Sequence, residues 1–139
     1  MYNTFDKELI DSLQRFFREE EMGQVGVTSD IVGDGIYQMR FENSNFVLEM
    51  YYSREDDLYE AQIRVISLLL KGPLKRKGLS KRILNALLKY CQEHEGMSLW
   101  ICDLINRSWT QYLVQHGAVL VRQESLNEGA VVLIRDRLL

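Results

Sequence analysis

An apolar strand, a short basic loop and an amphipathic helix follow one another directly in the middle of this chain. The strand ends in the run Val65 to Leu70, and apolar residues at helical spacing begin at Leu79. Between positions 61 and 92 the chain has eight Lys or Arg and no Asp or Glu, whereas residues 1 to 60 have 14 acidic and 5 basic residues. The first N–H groups of a helix lack partners within the helix and carry its positive dipole end. The junction therefore predicts an anion-binding site at a helix start.

The composition indicates one ordinary domain spanning residues 1–139. Hydrophobic residues make up 46% of the chain and charged residues 27%, which is typical of a folded protein rather than a disordered one. No segment has the roughly 20 apolar residues of a membrane span, and the N-terminus lacks the pattern of a signal peptide, so we expect a cytosolic protein without membrane contact. Two cysteines, Cys91 and Cys102, predict small buried side chains rather than a disulfide framework. No ligand spacing predicts a metal site.

Hydrophobic periodicity divides the chain into three helices and seven strands. Spacing of three and four residues predicts helices, and alternation between apolar and polar residues predicts strands with one buried face. Turn residues such as Gly, Asp and Asn separate these segments. The predicted elements are a helix from Asn3 or Thr4 to a stop at Gly23, strands at Val25–Val32, Ile36–Glu42, Phe46–Tyr52 and Leu58–Leu70, a helix from Leu79 ending near Gly96, a strand at Ser98–Leu104, a helix at Arg107–His116, and strands at Ala118–Gln123 and Ala130–Asp136.

The strand, helix and strand from Leu58 to Leu104 form a βαβ unit. A helix that connects two neighbouring strands makes them run parallel, with a right-handed crossover. Short turns separate the strands between Val25 and Tyr52, as in an antiparallel meander. The predicted class is therefore α/β (α+β), with a mixed, mostly antiparallel sheet, a central parallel pair and helices on both faces.

Two motifs in this order resemble those of the GNAT superfamily of N-acetyltransferases. The family's pyrophosphate loop follows the pattern Gln/Arg-x-x-Gly-x-Gly/Ala, and the segment Lys75 to Ser80, KRKGLS, has its glycine in register after the corresponding strand. The second pattern begins with Asn and ends with Gly eleven residues later, as Asn106 and Gly117 do here. The resemblance covers about Leu58 to Gln123.

The resemblance implies an acyl-CoA donor, most simply acetyl-CoA, and a GNAT-like fold whose central parallel strands separate where the donor inserts. It implies that main-chain N–H groups at the end of the preceding strand polarise the thioester carbonyl. It also implies that the loop and the start of the next helix hold the pyrophosphate. The implied donor-binding residues are Leu68, Leu69, Leu70, Lys75, Arg76, Lys77, Gly78, Leu79, Ser80, Lys81 and Asn106.

The catalytic residues match the family pattern less well. The family places a Tyr, which protonates the departing thiolate, seven residues after the Asn, and this chain has Leu113 there. Tyr112 is the neighbouring hydroxyl, so it is the candidate general acid, with a packing role as its alternative. Many family members place a Glu base on the strand before the loop. Here Gln62 and Arg64 fall near that position, and Glu60 is the candidate base.

Three functions stay open from the sequence. The first is an acyl-CoA-dependent N-acetyltransferase that acts on an amine acceptor of unknown identity. The second is a GNAT-like module that has lost catalysis, because Leu113 and Trp109 depart from the family pattern. The third is a nucleic-acid binder that uses the basic block, although the pI near 5.4 and the lack of aromatic residues within that block disfavour it. A homodimer is compatible with each function.

Overall fold

In the computed structural model, seven strands and three helices are formed by the residues that the structure describes, which are 4–53, 61–75, 78–94, 96–104, 107–122 and 130–138. The order of elements agrees with the order that the periodicity predicts. Leu58 to Glu60, the predicted start of the fourth strand, lie outside the described residues. The elements are α1 (Thr4–Glu19), β1 (Gly26–Gly33), β2 (Ile36–Asn43), β3 (Phe46–Ser53), β4 (Gln62–Leu70), α2 (Leu79–Gln92), β5 (Ser98–Leu104), α3 (Arg107–Gln115), β6 (Val119–Arg122) and β7 (Ala130–Ile134).

The strands form one mixed sheet in the order β1-β2-β3-β4-β5-β7-β6. Strands β4 and β5 are parallel, and every other neighbouring pair is antiparallel. Helix α2 connects the two parallel strands, as a βαβ unit requires. The predicted mixed sheet with a central parallel pair is therefore confirmed.

One face of the sheet packs against α1 and α2 and forms the core. Phe17 of α1 makes edge-to-face contacts with Phe41 and Phe46, at centroid distances of 5.5 and 5.1 Å. Ile83 and Leu87 of α2 are fully buried in the same cluster. Both helices bury one apolar stripe and expose the opposite face. Within the described ranges, no helix combines the length and apolarity that a membrane crossing needs.

Helix α1 ends before the predicted stop at Gly23. Glu21 has a φ of +56°, in the left-handed region that glycine usually occupies. The N–H of Met22 donates to the carbonyl of Phe17 at 2.9 Å, and the N–H of Glu21 donates to that of Arg18 at 3.1 Å. This pair of hydrogen bonds is the Schellman motif, with the buried Met22 and Phe17 as its hydrophobic contact. The prediction was wrong because a non-glycine residue adopts the capping conformation.

Candidate functional site

The basic loop leaves β4 through a turn that is fixed to the β2–β3 hairpin. The N–H of Lys71 donates to the carbonyl of Asn45 at 2.8 Å. Gly72 has a φ of +55°, and a Cβ there would lie 3.2 Å from the Asn45 side-chain oxygen. A short 3-10 turn at Gly72–Leu74 then buries Leu74 in the core. The loop therefore starts from a rigid anchor.

Gly78 is the N-cap of α2 and has φ +82° and ψ −1°. Only glycine adopts this conformation without strain. A Cβ at this position would lie 3.3 Å from Nη1 of Arg82, which is closer than ordinary van der Waals contact. The absence of a side chain at Gly78 therefore leaves the backbone of the first turn accessible on this side.

The first turn of α2 presents free N–H groups and no negative charge. It contains no acidic residue, and among the described residues no side chain accepts a hydrogen bond from the N–H groups of Leu79, Ser80 or Lys81. The Leu79 side chain is fully buried and fixes the turn to the core. Ser80 and Lys81 are half-buried and Lys75 is exposed, whereas Arg76 and Lys77 lie outside the described residues. The described members of the predicted phosphate site therefore meet at one helix end.

One basic residue of this helix start is already paired. Nε of Arg82 donates to Oε1 of Glu20 at 3.1 Å, across 62 residues of sequence. Glu20 is half-buried, so it is not simply part of a solvated acidic helix end. This ion pair links the residue that follows α1 to the start of α2, next to Gly78.

The two parallel strands are hydrogen-bonded over only part of their length. The pairing runs from Gln62 opposite Ser98 to Val65 opposite Ile101 and then stops, although both strands continue. A bulge lies where it stops: on β3, Met50 faces Val65 and Glu49 faces Ser67, so Ile66 is an extra residue. Bulges bend a strand and increase its twist, and they are frequent beside active sites. The strands therefore leave a gap at their carboxyl ends, where the basic loop begins.

Leu68, Leu69 and Leu70 line the β4 side of this gap. They pair with β3, at Leu48, Val47 and Phe46 in turn, but no pairing with β5 is present along them. In an antiparallel pair, alternate residues direct their backbone groups away from the partner strand. Some N–H groups of this segment therefore face the gap. The side chain of Leu69 is 50% exposed, while Leu68 and Leu70 pack partly on the core.

Helix α3 places the two candidate positions for the general acid in different environments. Leu113, at the family's tyrosine position, is fully buried in the core. The Tyr112 ring is half-buried, stacks on Trp109 at a centroid distance of 5.5 Å and contacts His116 at 4.3 Å. This aromatic stack gives Tyr112 a packing role, and its predicted role as an acid stays a prediction.

Besides Arg76 and Lys77, two predicted site residues lie outside the described residues: Glu60, the candidate base, and Asn106, which begins the second motif. The structure describes Arg64, which the sequence analysis placed near the base position without giving it a role. Its side chain is half-buried in the middle of β4. The sequence signal for this residue is that it is the single charged residue of a mostly apolar strand.

Cys91 lacks the features of a nucleophile. Cys91 is buried in α2, and burial raises the pKa of its thiol from the ordinary 9.0 to about 12. Cys102 is half-buried, and both cysteines are free thiols. The prediction of a buried thiol is confirmed fully for Cys91 and in part for Cys102.

An open depression of about 500 Å³ lies at the opposite end of α2 from Gly78. The 14 residues of α2 span about 20 Å, so this depression is separate from the predicted phosphate site. It offers neither a helix N-terminus nor a cluster of cations. Its lining residues are Gln62, Leu88, Cys91, Gln92, Met97, Ser98, Trp100, Leu133, Ile134 and Arg135.

Comparison with known proteins shows likeness in structure rather than in sequence. No protein-family model matches the chain, and no curated protein matches it. The structure of Arabidopsis thaliana NAA60 in complex with a bisubstrate analogue matches with a TM-score of 0.50 at 10% identity, over 95% of this chain and 93% of that one. The KacTA–DNA complex matches with a TM-score of 0.50 at 9% identity, over 89% and 79% of the two chains. At such identities the likeness shows the fold alone, and that fold is the GNAT fold that the two motifs predicted.

Proposed function

We propose that this chain is an acyl-CoA-dependent N-acyltransferase, most simply an N-acetyltransferase, of the cytosol. The observation that carries the proposal is the juxtaposition of a glycine-capped helix start with the gap between β4 and β5. The helix start offers free N–H groups and cations to a diphosphate. The gap offers unpaired strand backbone to the acyl end of the same donor.

The residues present fit a CoA diphosphate. Gly78 leaves room beside the N–H groups of the first turn, where a Cβ would meet Arg82. Lys75 and Lys81 supply positive charge, and Arg76 and Lys77 add to it in the sequence. Ser80 offers a hydroxyl donor.

The proposed reaction moves an acetyl group from sulfur to nitrogen. A neutral amine forms a bond to the thioester carbonyl carbon, the carbon–sulfur bond breaks, the nitrogen loses a proton and the thiolate gains one. Backbone N–H groups within Leu68–Leu70 would stabilise negative charge on the carbonyl oxygen. Tyr112 would protonate the thiolate, and Glu60 or water would accept the amine proton.

Calorimetric titration with acetyl-CoA tests the proposal, with a matched pair of charge reversals. Lys75 and Lys89 are both exposed, but Lys75 lies in the loop and Lys89 in the last turn of α2. We expect wild type to bind acetyl-CoA, K75E to bind it less tightly, and K89E to bind it as wild type does. Absence of binding at millimolar acetyl-CoA, or equal loss in the two variants, would overturn the proposal.

A second candidate function is a GNAT-like binding module without catalysis. The observation that favours it is that Leu113, a buried side chain without a hydroxyl, occupies the family's acid position. Release of free CoA thiol in the presence of a broad panel of amines separates the two functions. Binding of acetyl-CoA without thiol release supports the module, whereas turnover that Y112F abolishes supports the enzyme with Tyr112 as its acid. A Y112F variant that is as stable as wild type makes the second result interpretable.

A further inference from the structure

Arg64 occupies a position next to the gap between the parallel strands. It lies opposite Trp100 of β5, one row before the last paired row at Val65. On its other side it lies opposite Tyr51 of β3. Directly opposed residues share a face of the sheet, so two aromatic side chains flank Arg64. The core is on the other face, because Ile63 and Val65 are buried there.

The guanidinium of Arg64 has unused hydrogen-bonding capacity. Its Nε is buried and has no hydrogen-bond partner, and its Nη2 makes one long contact of 3.5 Å with Oγ of Ser53. A buried donor without a partner is costly, and more so when the group is charged. Because Nε is buried, an acceptor from outside the chain would satisfy this donor after a small shift of the Arg64 side chain.

The other half-buried arginines with described side chains each have a carboxylate partner. Arg40 contacts Glu49 at 2.6 Å and Glu42 at 3.3 Å, and Arg82 contacts Glu20 at 3.1 Å. Within the described part of the chain, Arg64 has no such partner. This contrast indicates that Arg64 is available to bind an anion from outside the chain.

Glu49, the described carboxylate on the same face of β3, cannot take this role without breaking a pair. Glu49 already accepts hydrogen bonds from Arg40 at 2.6 Å and from Gln38 at 3.1 Å. Hydrogen bonds to Glu42 and Glu49 raise the pKa of Arg40, as expected for an occupied ion pair. The row next to Arg64 consists of the neutral Gln62 and Ser98. The polar groups around Arg64 therefore leave its charge uncompensated.

We propose that Arg64 binds a carboxylate of the acceptor, so that the acceptor class is an amine that also carries a carboxylate, with amino acids such as lysine, whose side-chain amine lies several bonds from the carboxylate, as the simplest members. This inference rests on the proposed acyltransferase function. A planar guanidinium matches a carboxylate in a two-point pair, and the flanking rings of Tyr51 and Trp100 limit access of water to it. The Arg64 side chain leans along β4 towards Ser53, which lies opposite Gln62, whereas the pairing of β4 with β5 ends one residue after Arg64. The carboxylate end of the acceptor would therefore lie before the gap, and its amine would extend towards the gap.

Nuclear magnetic resonance of arginine Nε–H groups tests the site without relying on turnover. The Arg64 signal is assigned by its loss in R64K. The probes are the common amino acids, the matching amino acid amides, and acetate. We expect at least one amino acid to shift the Arg64 signal saturably, its amide to leave the signal unchanged, and acetate to act weakly. R40Q is the matched control and should retain the response, because Arg40 is an arginine of the same sheet face whose partners are already present.

Activity provides a second measurement. In R64Q we expect the KM for the responsive amino acid to rise roughly 10- to 100-fold with a smaller change in kcat, as loss of a charge-assisted pair predicts. The KM of R64K should lie between those of R64Q and wild type, because lysine keeps the charge but not the planar guanidinium.

The outcomes separate this inference from the proposed function. If acetyl-CoA binds but no amino acid moves the Arg64 signal, the carboxylate site is wrong and the acyltransferase proposal stands. If an amino acid moves the signal but acetyl-CoA does not bind, the site is supported and the acyltransferase proposal fails. If E60Q moves the Arg64 signal in the free protein, a carboxylate of the chain itself occupies the guanidinium and the inference is overturned.

Discussion

Replacing Gly78 by alanine tests whether the space at the start of α2 serves a ligand. An L-residue at a φ of +82° costs about 1–2 kcal/mol relative to glycine. Alanine also lowers the conformational entropy of the unfolded chain, which offsets about 0.4–1 kcal/mol of this cost. The added Cβ would lie 3.3 Å from Nη1 of Arg82, the end of a side chain that can shift slightly. We therefore expect G78A to lower the free energy of unfolding by about 1 kcal/mol.

Gly96 provides a matched control at the other end of the same helix. Its φ is +80°, nearly identical to that of Gly78, but a Cβ there would meet nothing within 4 Å. G96A should therefore lose about the same stability as G78A. For a chain of this length, each variant should melt about 3–5 °C below wild type.

The two variants should differ in ligand binding. The Cβ of G78A would occupy the space through which a diphosphate approaches the first-turn N–H groups, and loss of such a charge-assisted hydrogen bond predicts roughly 10- to 100-fold weaker acetyl-CoA binding. G96A should bind as wild type does. Denaturant unfolding measures the stability of both variants, and calorimetry measures their affinity. Equal binding by G78A and wild type, or equal weakening in both variants, would refute the reasoning.

Two further predictions concern stability. Because Glu21 caps α1 with a φ of +56°, E21G should raise the free energy of unfolding by about 1 kcal/mol in denaturant titrations, and a decrease would contradict the strain argument. Burial raises the Cys91 pKa from 9.0 to about 12, so the unfolded chain binds fewer protons than the folded one between these values. Stability from the protonated Cys91 thiol is therefore complete below pH 9 and is lost as the pH rises towards 12. The difference in unfolding free energy between wild type and C91A should shrink over that interval, and a constant difference would show that the thiol is not shielded.

The sequence predicted the order of elements, which the structure confirms, and it placed a candidate phosphate site at a helix start, because both depend on local features. Alternating residues such as Met39 and Phe41 define a strand face wherever the strand lies, and both are buried. A helix that connects two strands predicts their parallel pairing, which the structure confirms. Gly78 beside a run of cations indicates an anion site because free N–H groups are a property of every helix start.

Features that depend on contacts between distant residues were not predictable in this way. The bulge at Ile66 exists because of how β4 pairs with β3, and it ends the pairing with β5. The pair between Arg82 and Glu20 joins residues 62 positions apart. In sequence Arg64 is only a cation within an apolar strand, and its missing partner becomes visible once its neighbours are placed.

By itself, the sequence determined the GNAT-like order of strands and helices and the basic helix start, since periodicity and helix-end chemistry act over a few residues. The tertiary structure alone decided that the pairing of the parallel strands ends at Val65, that Leu113 is buried while Tyr112 joins a half-buried aromatic stack, and that Arg64 lacks a carboxylate partner among the described residues. The physical reason is that strand register and charge pairing depend on contacts between residues far apart in the sequence, and local sequence patterns do not specify those contacts.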